Sequence, residues 1–316
     1  MKLQKHQDNE LAHVTPILLL HVACSGGSII FRTLCERFPV WGISEVSPLA
    51  DRPERPFYPY DPETLLWMNG HFSQMQFELL FKERLARCWQ TTRKKGQSLL
   101  VREHTHSLFF QPTGIQLDAG FSWIANHKED IFEQPCSILF SVRDPVDSWL
   151  GLNHSFPHIA RYSFDEYCRR YNVMLDRLAE ATASHKETFL QFKYEDLIQS
   201  VDAVLQNISN FVKLPVLMNP SQDIRIKATG NSGRQSAQLG MRPRRAFSAA
   251  FLNAAEQSSE YARLAERLEY RHCCAGLGWK DHVIAHWHSV RKIIYQCARR
   301  IALTSMQSAK KKRVAD

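Results

Sequence analysis

The segment from Pro16 to Leu34, PILLLHVACSGGSIIFRTL, constrains the fold more than any other part of the chain. An apolar run ends in the four small residues Ser25 to Ser28, after which apolar residues return at helical spacing. This order predicts a buried strand that turns through a short loop into a helix. Such a turn directs backbone N–H groups and a helix N-terminus at one point, where a phosphate group can bind.

The residue types in this loop suit an anion but not an ordinary ATP site. Gly26 and Gly27 allow the backbone to approach an anion closely, and the hydroxyls of Ser25 and Ser28 can donate hydrogen bonds to it. An ATP-binding loop also requires a lysine, and none occurs between Pro16 and Leu34. The sequence therefore disfavours an ATPase or kinase. A turn of small residues that serves only close contact between strand and helix is the alternative explanation.

A second apolar run, from Cys136 to Val142, is followed by Arg143-Asp144-Pro145. Pro145 suits the first turn of a helix and Asp144 its N-cap, so we expect Arg143 at the carboxyl end of a strand. Ligands of open parallel sheets bind at that edge, and a guanidinium can hold a phosphate through two hydrogen bonds. An ion pair with a nearby aspartate is the alternative role for this arginine.

Over residues 14–245 the sequence resembles the sulfotransferases that use 3′-phosphoadenosine 5′-phosphosulfate (PAPS), and its motifs occur in the same order as in that family. In that family a P-[KR]-S-G-[TS]-[TS] loop between a strand and a helix holds the 5′-phosphosulfate, and a later strand ending in R-[DNH]-P holds the 3′-phosphate. Ala23 to Ser28 matches the first pattern, and Arg143 to Pro145 matches the second. The resemblance implies an α/β, P-loop-type three-layer fold with a central parallel sheet flanked by helices.

Three shorter motifs add to the resemblance. The run SLLVREH is similar to the family's strand ending in K-T-H, which implies His104 as the general base and Arg102 as a basic residue of the site. Tyr194 opens YEDL, which resembles the family's Y-E-D-[LM] element. Gly233 and Arg234 lie in GNSGR, which resembles a late loop that closes over the nucleotide in many bacterial members.

Two positions depart from the family's pattern. Cys24 stands where the family's loop carries a lysine or arginine, and a thiol supplies no positive charge. Gly151 stands eight residues after Arg143, where the family commonly has a serine for the 3′-phosphate, so we expect Ser148 to substitute. Because sulfuryl transfer needs cationic stabilisation, we expect Arg102 to supply the missing charge. Further candidates for this charge are Arg32, Arg234, Arg242, Arg244 and Arg245.

The reaction also needs a base for the acceptor hydroxyl. His104 or His106 is expected in this role, because a histidine of near-neutral pKa suits proton abstraction. Glu103 and Glu45 are carboxylates expected at the same edge of the sheet. Two functions follow: sulfuryl transfer from PAPS to a hydroxyl of a carbohydrate or lipid-linked acceptor, or non-catalytic binding of a nucleotide or an acidic glycan by a sulfotransferase-like protein.

Composition limits the partners. The 316 residues, 44% of them hydrophobic, suffice for a sizeable core, and the net charge of +8 fits an anionic ligand. No nucleic-acid-binding module pattern is visible, so no nucleic-acid partner is expected. The eight cysteines form no CxxC pair, so we expect reduced thiols and no metal site. The polar N-terminus does not resemble a secretory signal, which predicts a cytoplasmic protein.

We expect three regions along the chain: a polar segment at residues 1–13, a sulfotransferase-like α/β domain at residues 14–285, and a basic amphipathic tail at residues 286–316. The tail is of the kind that binds anionic membrane surfaces, here the inner face, although its apolar side could instead dock on the domain. The predicted strands are 16–22, 98–102, 136–142 and 188–193. The predicted helices are 28–38, 72–94, 163–184, 195–212 and 254–271.

Overall fold

The structure is a computed structural model, which describes residues 14–48, 71, 73–103, 122–155, 162–183, 188–218, 227–228, 244–245 and 247–271. The chain divides into two compact units. The sheet unit comprises Met1–Asp144 and Arg170–Arg242, and the helical unit comprises Pro145–Arg169 and Pro243–Asp316. The predicted regional bounds at residues 13 and 285 stay predictions.

The sheet unit contains a six-stranded sheet in which every neighbouring pair of strands is parallel. Its strands are β1 (Ile17–His21), β2 (Val40–Val46), β3 (Ser98–Glu103), β4 (Ser137–Val142), β5 (Phe189–Lys193) and β6 (Lys227–Ala228). Their spatial order is β5-β4-β1-β3-β2-β6. The central strand β1 is buried along its whole length, as its uninterrupted ILLL run requires.

Ten helices occur among the described residues. They are α1 (Gly27–Arg37), α2 (Gln74–Arg93), α3 (Trp123–Asn126), α4 (Lys128–Phe132), α5 (Pro145–Ser155), α6 (Phe164–Thr182), α7 (Tyr194–Gln199), α8 (Val201–Val212), α9 (Ala249–Gln257) and α10 (Ser259–Arg267). Within this described part, no helix is both long enough and apolar enough to cross a bilayer.

The strand order sets the place of a ligand site. From β1 the chain runs toward β2 on one side of the sheet, and from β4 it runs toward β5 on the other side. The neighbours β1 and β4 therefore form a switch point, and parallel α/β sheets bind ligands at the carboxyl end of such a point. The loop after β1 and Arg143 after β4 both lie at this edge.

The pleat of β3 sends alternate side chains to opposite faces of the sheet. Leu100 lies in one buried cluster with Leu19 of β1 and with Ile30 and Leu34 of α1, so the even-numbered side chains of β3 face α1. The odd-numbered side chains face the layer that contains α3, as the contacts of Glu103 demonstrate. Helices thus cover both faces of the sheet, which confirms the predicted three-layer architecture.

The helical unit has an aromatic core of its own. The ring of Phe164 lies 4.9 Å from that of Phe251 and 5.1 Å from that of Tyr261, measured between centroids. Trp149 and Tyr167 extend the cluster at a centroid separation of 5.3 Å. Aromatic pairs at such distances stabilise a small helical core beyond the area that they bury.

The predicted strands all occur, each within one residue of its expected ends. The strands β2 and β6 are not among the predicted ones; in β2, Gly42 and Glu45 interrupt the apolar pattern. The helix predicted over 195–212 is two helices that meet at Ser200. The helix predicted over 254–271 is also two, since Ser258 ends α9 and caps α10 with its side chain.

Candidate anion site at the carboxyl edge of the sheet

The loop after β1 has an unusual backbone. Cys24 and Gly26 both adopt left-handed conformations, with φ of 64° and 95°. The carbonyl of Gly26 accepts hydrogen bonds from the N–H groups of Ile29 and Ile30 at 3.0 and 3.1 Å, which starts α1 directly after the loop. The N–H groups of Gly27 and Ser28, which precede Ile29, lie at the start of the helix, where backbone donors have no helical acceptor and can bind an anion.

Neighbouring rings require glycine at two loop positions. A Cβ atom on Gly26 would lie 2.6 Å from the ring of Tyr194, and a Cβ atom on Gly27 would lie 2.2 Å from the imidazole of His21. Real Cβ atoms do not approach other atoms so closely. The two glycines therefore allow two aromatic side chains to lie against the backbone of the loop.

The two serines of the loop have different roles. Ser25 is 1% exposed, and its hydroxyl donates a 2.6 Å hydrogen bond to the carbonyl of Val22. This proton is therefore committed to the turn, which differs from the expectation that Ser25 would donate to a bound anion. Ser28 is half-buried at the start of α1, whereas Ser25 is buried.

Arg143 is tied to the loop by two contacts. Its Nη1 donates to the carbonyl oxygen of Cys24 at 3.1 Å. Its guanidinium lies over the ring of Tyr194, 5.1 Å from the centroid, and that ring in turn lies against Gly26. The predicted residues Cys24, Gly26, Arg143 and Tyr194 are thus brought together at one edge of the sheet.

Arg102 reaches the loop from the interior of the protein. Its side chain is 4% exposed, and it donates to Ser28 Oγ at 3.0 Å, to Ser44 Oγ at 2.8 Å and to Glu45 Oε1 at 2.5 Å. Burial lowers the pKa of this guanidinium, the carboxylate of Glu45 opposes the shift, and the charge of Arg32 adds to it. Arg102 is therefore an enclosed, neutralised cation beside the loop, and its predicted catalytic role stays a prediction.

His21 lies between Arg102 and the loop. Its Nδ1 lies 2.9 Å from the carbonyl oxygen of Val22, so we assign the proton to this nitrogen. Nε2 then accepts from Arg102 Nη1 at 3.4 Å. Burial and the charge of Arg102 lower the pKa of His21 to about 3, which keeps the imidazole neutral. No sequence motif marks this histidine; the signal for it is its place at the end of β1, two residues after Leu19.

Glu103 faces the opposite side of the sheet. Its carboxylate accepts from the N–H groups of Trp123 and Ile124 at 2.8 and 3.3 Å and from the hydroxyl of Ser122. Burial raises its pKa to about 7, although these donors oppose the shift. Glu103 therefore closes the start of α3 and is directed away from the loop, unlike the carboxylate base considered from the sequence. Glu45 is the carboxylate on the loop side.

The other predicted site residues lie in the helical unit or outside the described residues. His104, His106, Gly233, Arg234 and Arg242 lie outside the described residues. Ser148 belongs to the helical unit, and its buried hydroxyl has no hydrogen-bond partner within the described ranges. Arg244 pairs with Asp147 at 2.8 Å in that same unit, so its charge is already partnered there.

Together, the described groups form a candidate anion site at this edge of the sheet. It combines the start of α1, the hydroxyl of Ser28 and the half-buried guanidinium of Arg143. A phosphate group fits this donor set, because hydroxyl, backbone and guanidinium donors are its usual partners. The part of the chain that the structure describes holds no group of three or more side chains suited to a metal ion.

No protein-family model matches the sequence, and no curated protein sequence does either. Solved structures do match. One is a sulfotransferase domain from the curacin biosynthetic pathway, with a TM-score of 0.51 and 14% identity over 82% of this chain and 99% of that one. This likeness shows that the chain has a sulfotransferase fold.

Two further matches are weaker. A sulfotransferase domain from the olefin synthase of Synechococcus PCC 7002 has a TM-score of 0.48 and 16% identity over 82% of this chain and 97% of that one. A sulfotransferase from Alicyclobacillus acidocaldarius has a TM-score of 0.41 and 12% identity over the same shares of the two chains.

Proposed function

We propose that this protein transfers a sulfuryl group from PAPS to a hydroxyl of a carbohydrate or lipid-linked acceptor. One observation carries the proposal: the loop after β1 and Arg143 after β4 meet at the switch point, joined by the bond from Arg143 to the Cys24 carbonyl. The sulfotransferase fold supports it. A donor with phosphates at both its 5′ and 3′ ends needs two anion-binding elements at one edge of the sheet.

Each element has an assigned role in this proposal. The loop from Cys24 to Ser28, with the start of α1, binds the 5′-phosphosulfate. Arg143 binds the 3′-phosphate beside Tyr194. Gly233 and Arg234 belong to the proposed loop over the nucleotide.

The chemistry needs in-line displacement at sulfur. The acceptor oxygen forms a bond to sulfur while the bond between sulfur and the 5′-phosphate oxygen breaks, and 3′-phosphoadenosine 5′-phosphate (PAP) leaves with the electron pair. The acceptor proton passes to a base, for which we propose His104 or His106. Charge accumulates on the leaving phosphate, so the donors of Ser28 and the start of α1 act on the transition state.

The acceptor and the location of the protein form a separate part of the proposal. The net charge of +8 and the basic tail at residues 286–316 favour an acceptor at an anionic surface. We infer a cytoplasmic protein that binds peripherally at the inner membrane face, with glycan or lipid hydroxyls as acceptors.

A specific observation favours a second function, non-catalytic binding of a nucleotide or an acidic glycan. Cys24 brings no charge to the loop, and the nearby Arg102 is paired with Glu45. Such a site can hold a phosphate and still lack the unpaired cation that sulfuryl transfer needs.

The decisive experiment is calorimetric titration of the full chain with PAP. Wild type is compared with Arg143→Ala, and AMP and ATP serve as ligands that lack the 3′-phosphate. The matched control is Arg93→Ala, which removes an exposed arginine at the end of α2, next to the amino edge of the sheet.

We expect PAP to bind at least about tenfold more tightly than AMP, and Arg143→Ala to remove that preference, since a lost charged hydrogen bond costs roughly 1.5–3 kcal/mol. Arg93→Ala should bind as wild type does. Failure of wild type to bind PAP would overturn the proposal. PAP binding without PAP formation from PAPS, over a panel of hydroxyl acceptors, would select the non-catalytic function.

A further inference from the structure

The guanidinium of Arg102 is held on every side. Nε donates to Ser44, Nη2 donates to Glu45, and Nη1 lies within reach of both Ser28 Oγ and His21 Nε2. Strand pairing supports this geometry, because Ser44 of β2 lies directly opposite Arg102 of β3. A side chain with so many directed contacts has a single orientation relative to the loop.

This orientation fixes the role of the Ser28 hydroxyl. A guanidinium has only donors, so Ser28 Oγ must be the acceptor of the 3.0 Å bond from Arg102. The hydroxyl proton of Ser28 then points away from Arg102. Among the described residues, the structure gives this proton no acceptor, and Ser28 is half-buried at the mouth of the loop.

The protonation of His21 is consistent with this arrangement of donors and acceptors. A histidine with a proton on Nε2 would compete with Arg102 as a donor and would repel it when charged. The bond of Nδ1 to the Val22 carbonyl leaves Nε2 as an acceptor, so His21 and Ser28 both receive hydrogen bonds from the same guanidinium nitrogen. In this arrangement Arg102 is the donor, and His21 and Ser28 are both acceptors.

We propose that Arg102 is a positioning residue that acts through Ser28, an inference that rests on the proposed function. The buried cation does not touch the transferring group. It fixes the Ser28 hydroxyl as a donor and strengthens it, because a hydroxyl that accepts from a cation donates more strongly. The charge absent at Cys24 is thereby delivered to the phosphate or sulfuryl oxygen through one hydroxyl group.

A double-mutant cycle on ligand affinity tests this inference. The variants are Ser28→Ala, Arg102→Met and the double variant, with Ser28→Thr as the version that keeps the hydroxyl. Two probes are titrated into the full chain, PAP and inorganic pyrophosphate. Circular dichroism and thermal unfolding establish that each variant folds, and Arg102→Lys takes the place of Arg102→Met in the cycle should that variant not fold.

Ser28→Ala should weaken the binding of either probe roughly tenfold, and Ser28→Thr should stay within about threefold of wild type. In the Ser28→Ala background, the Arg102 substitution should add less than about twofold. Effects that multiply instead would mean that Arg102 acts on the ligand without Ser28 and would overturn the inference.

The two probes separate this inference from the proposed function. Binding of pyrophosphate without binding of PAP would remove the PAPS assignment, while the coupling between Ser28 and Arg102 could still be measured and judged. Binding of neither probe to wild type would overturn both. A dependence on Arg102 that survives in Ser28→Ala for PAP would leave the proposed function standing and refute the relay through Ser28.

Discussion

Arg102 and Glu103 are neighbours in sequence, but they lie on opposite faces of β3 and do different things with a buried charge. Arg102 meets a counter-charge, Glu45, and extends to a hydroxyl at the mouth of the loop. Among the described residues, the hydrogen-bond partners of Glu103 are neutral donors at the start of α3. The pleat of β3 therefore decides which of the two buried charges faces the loop after β1.

The two faces also differ in their response to pH. The α1 face contains His21, whose pKa is lowered to about 3, and the α3 face contains Glu103, whose pKa is raised to about 7. Both groups prefer the neutral form in the folded protein. Because one is a base and the other an acid, their effects on stability run in opposite directions along the pH scale.

The largest effect is expected on the α1 face in acid. The unfolded chain takes up a proton on His21 near pH 6.5 and the folded chain only near pH 3, so this stabilisation is complete above pH 6.5 and is lost as the pH falls toward 3. The stability advantage of wild type over His21→Asn should shrink by about 3 kcal/mol from about pH 7 to about pH 4. Urea unfolding at the two pH values measures it. An advantage that stays constant would mean that His21 is protonated in the folded protein.

A smaller effect of opposite sign is expected on the α3 face. The folded pKa of Glu103 lies above its usual 4.5, so its contribution to stability is complete below that value and is lost as the pH rises through about 7. Relative to Glu103→Gln, wild type should lose about 2 kcal/mol between about pH 5 and about pH 7. Urea unfolding at the two pH values measures this change in stability. His21→Asn is the control, because it retains Glu103 and therefore the destabilisation that ionisation of Glu103 causes. A gain with rising pH would contradict the burial of this carboxyl.

The smallest expected effect is the difference in stability between two glycine-to-alanine variants, one that creates a clash with a ring and one that only strains the backbone. Gly27→Ala forces a Cβ atom into the ring of His21 and should cost about 2 kcal/mol of unfolding free energy. Gly96→Ala, at φ 66° with open space around it, should cost only the strain of about 1 kcal/mol. Thermal unfolding of both variants checks the difference. Equal losses would show that His21 moves aside without cost.

The sequence predicted the sheet and the loop between β1 and α1 because strong local signals mark both. The ILLL and SILFSV runs can be read as buried strands, and Arg143-Asp144-Pro145 marks a strand end and a helix start. The strand β2 was missed, since VWGISEV contains a glycine and a carboxylate and lacks both alternation and a continuous apolar run.

The proton arrangement of the site could not be predicted in the same way. The hydroxyl of Ser25 donates to the carbonyl of Val22 at 2.6 Å because the turn brings these two atoms together. No residue pattern encodes that turn geometry. The partners of Arg102 come from β1, β2 and α1, so they become neighbours only once the strand order exists. Sequence motifs located the loop, and the fold decided which of its groups remain available.

The bond between Arg143 and the loop uses the carbonyl of Cys24 and not its side chain. The attachment is therefore indifferent to which side chain stands at position 24, as long as that residue accepts the left-handed backbone. For protein engineering, the side chain at position 24 can therefore be changed while the hydrogen bond from Arg143 to the carbonyl of this residue is kept. Cys24→Lys would add a positive charge to the loop and keep the hydrogen bond from Arg143, so position 24 is the natural starting point for changing the charge of this loop.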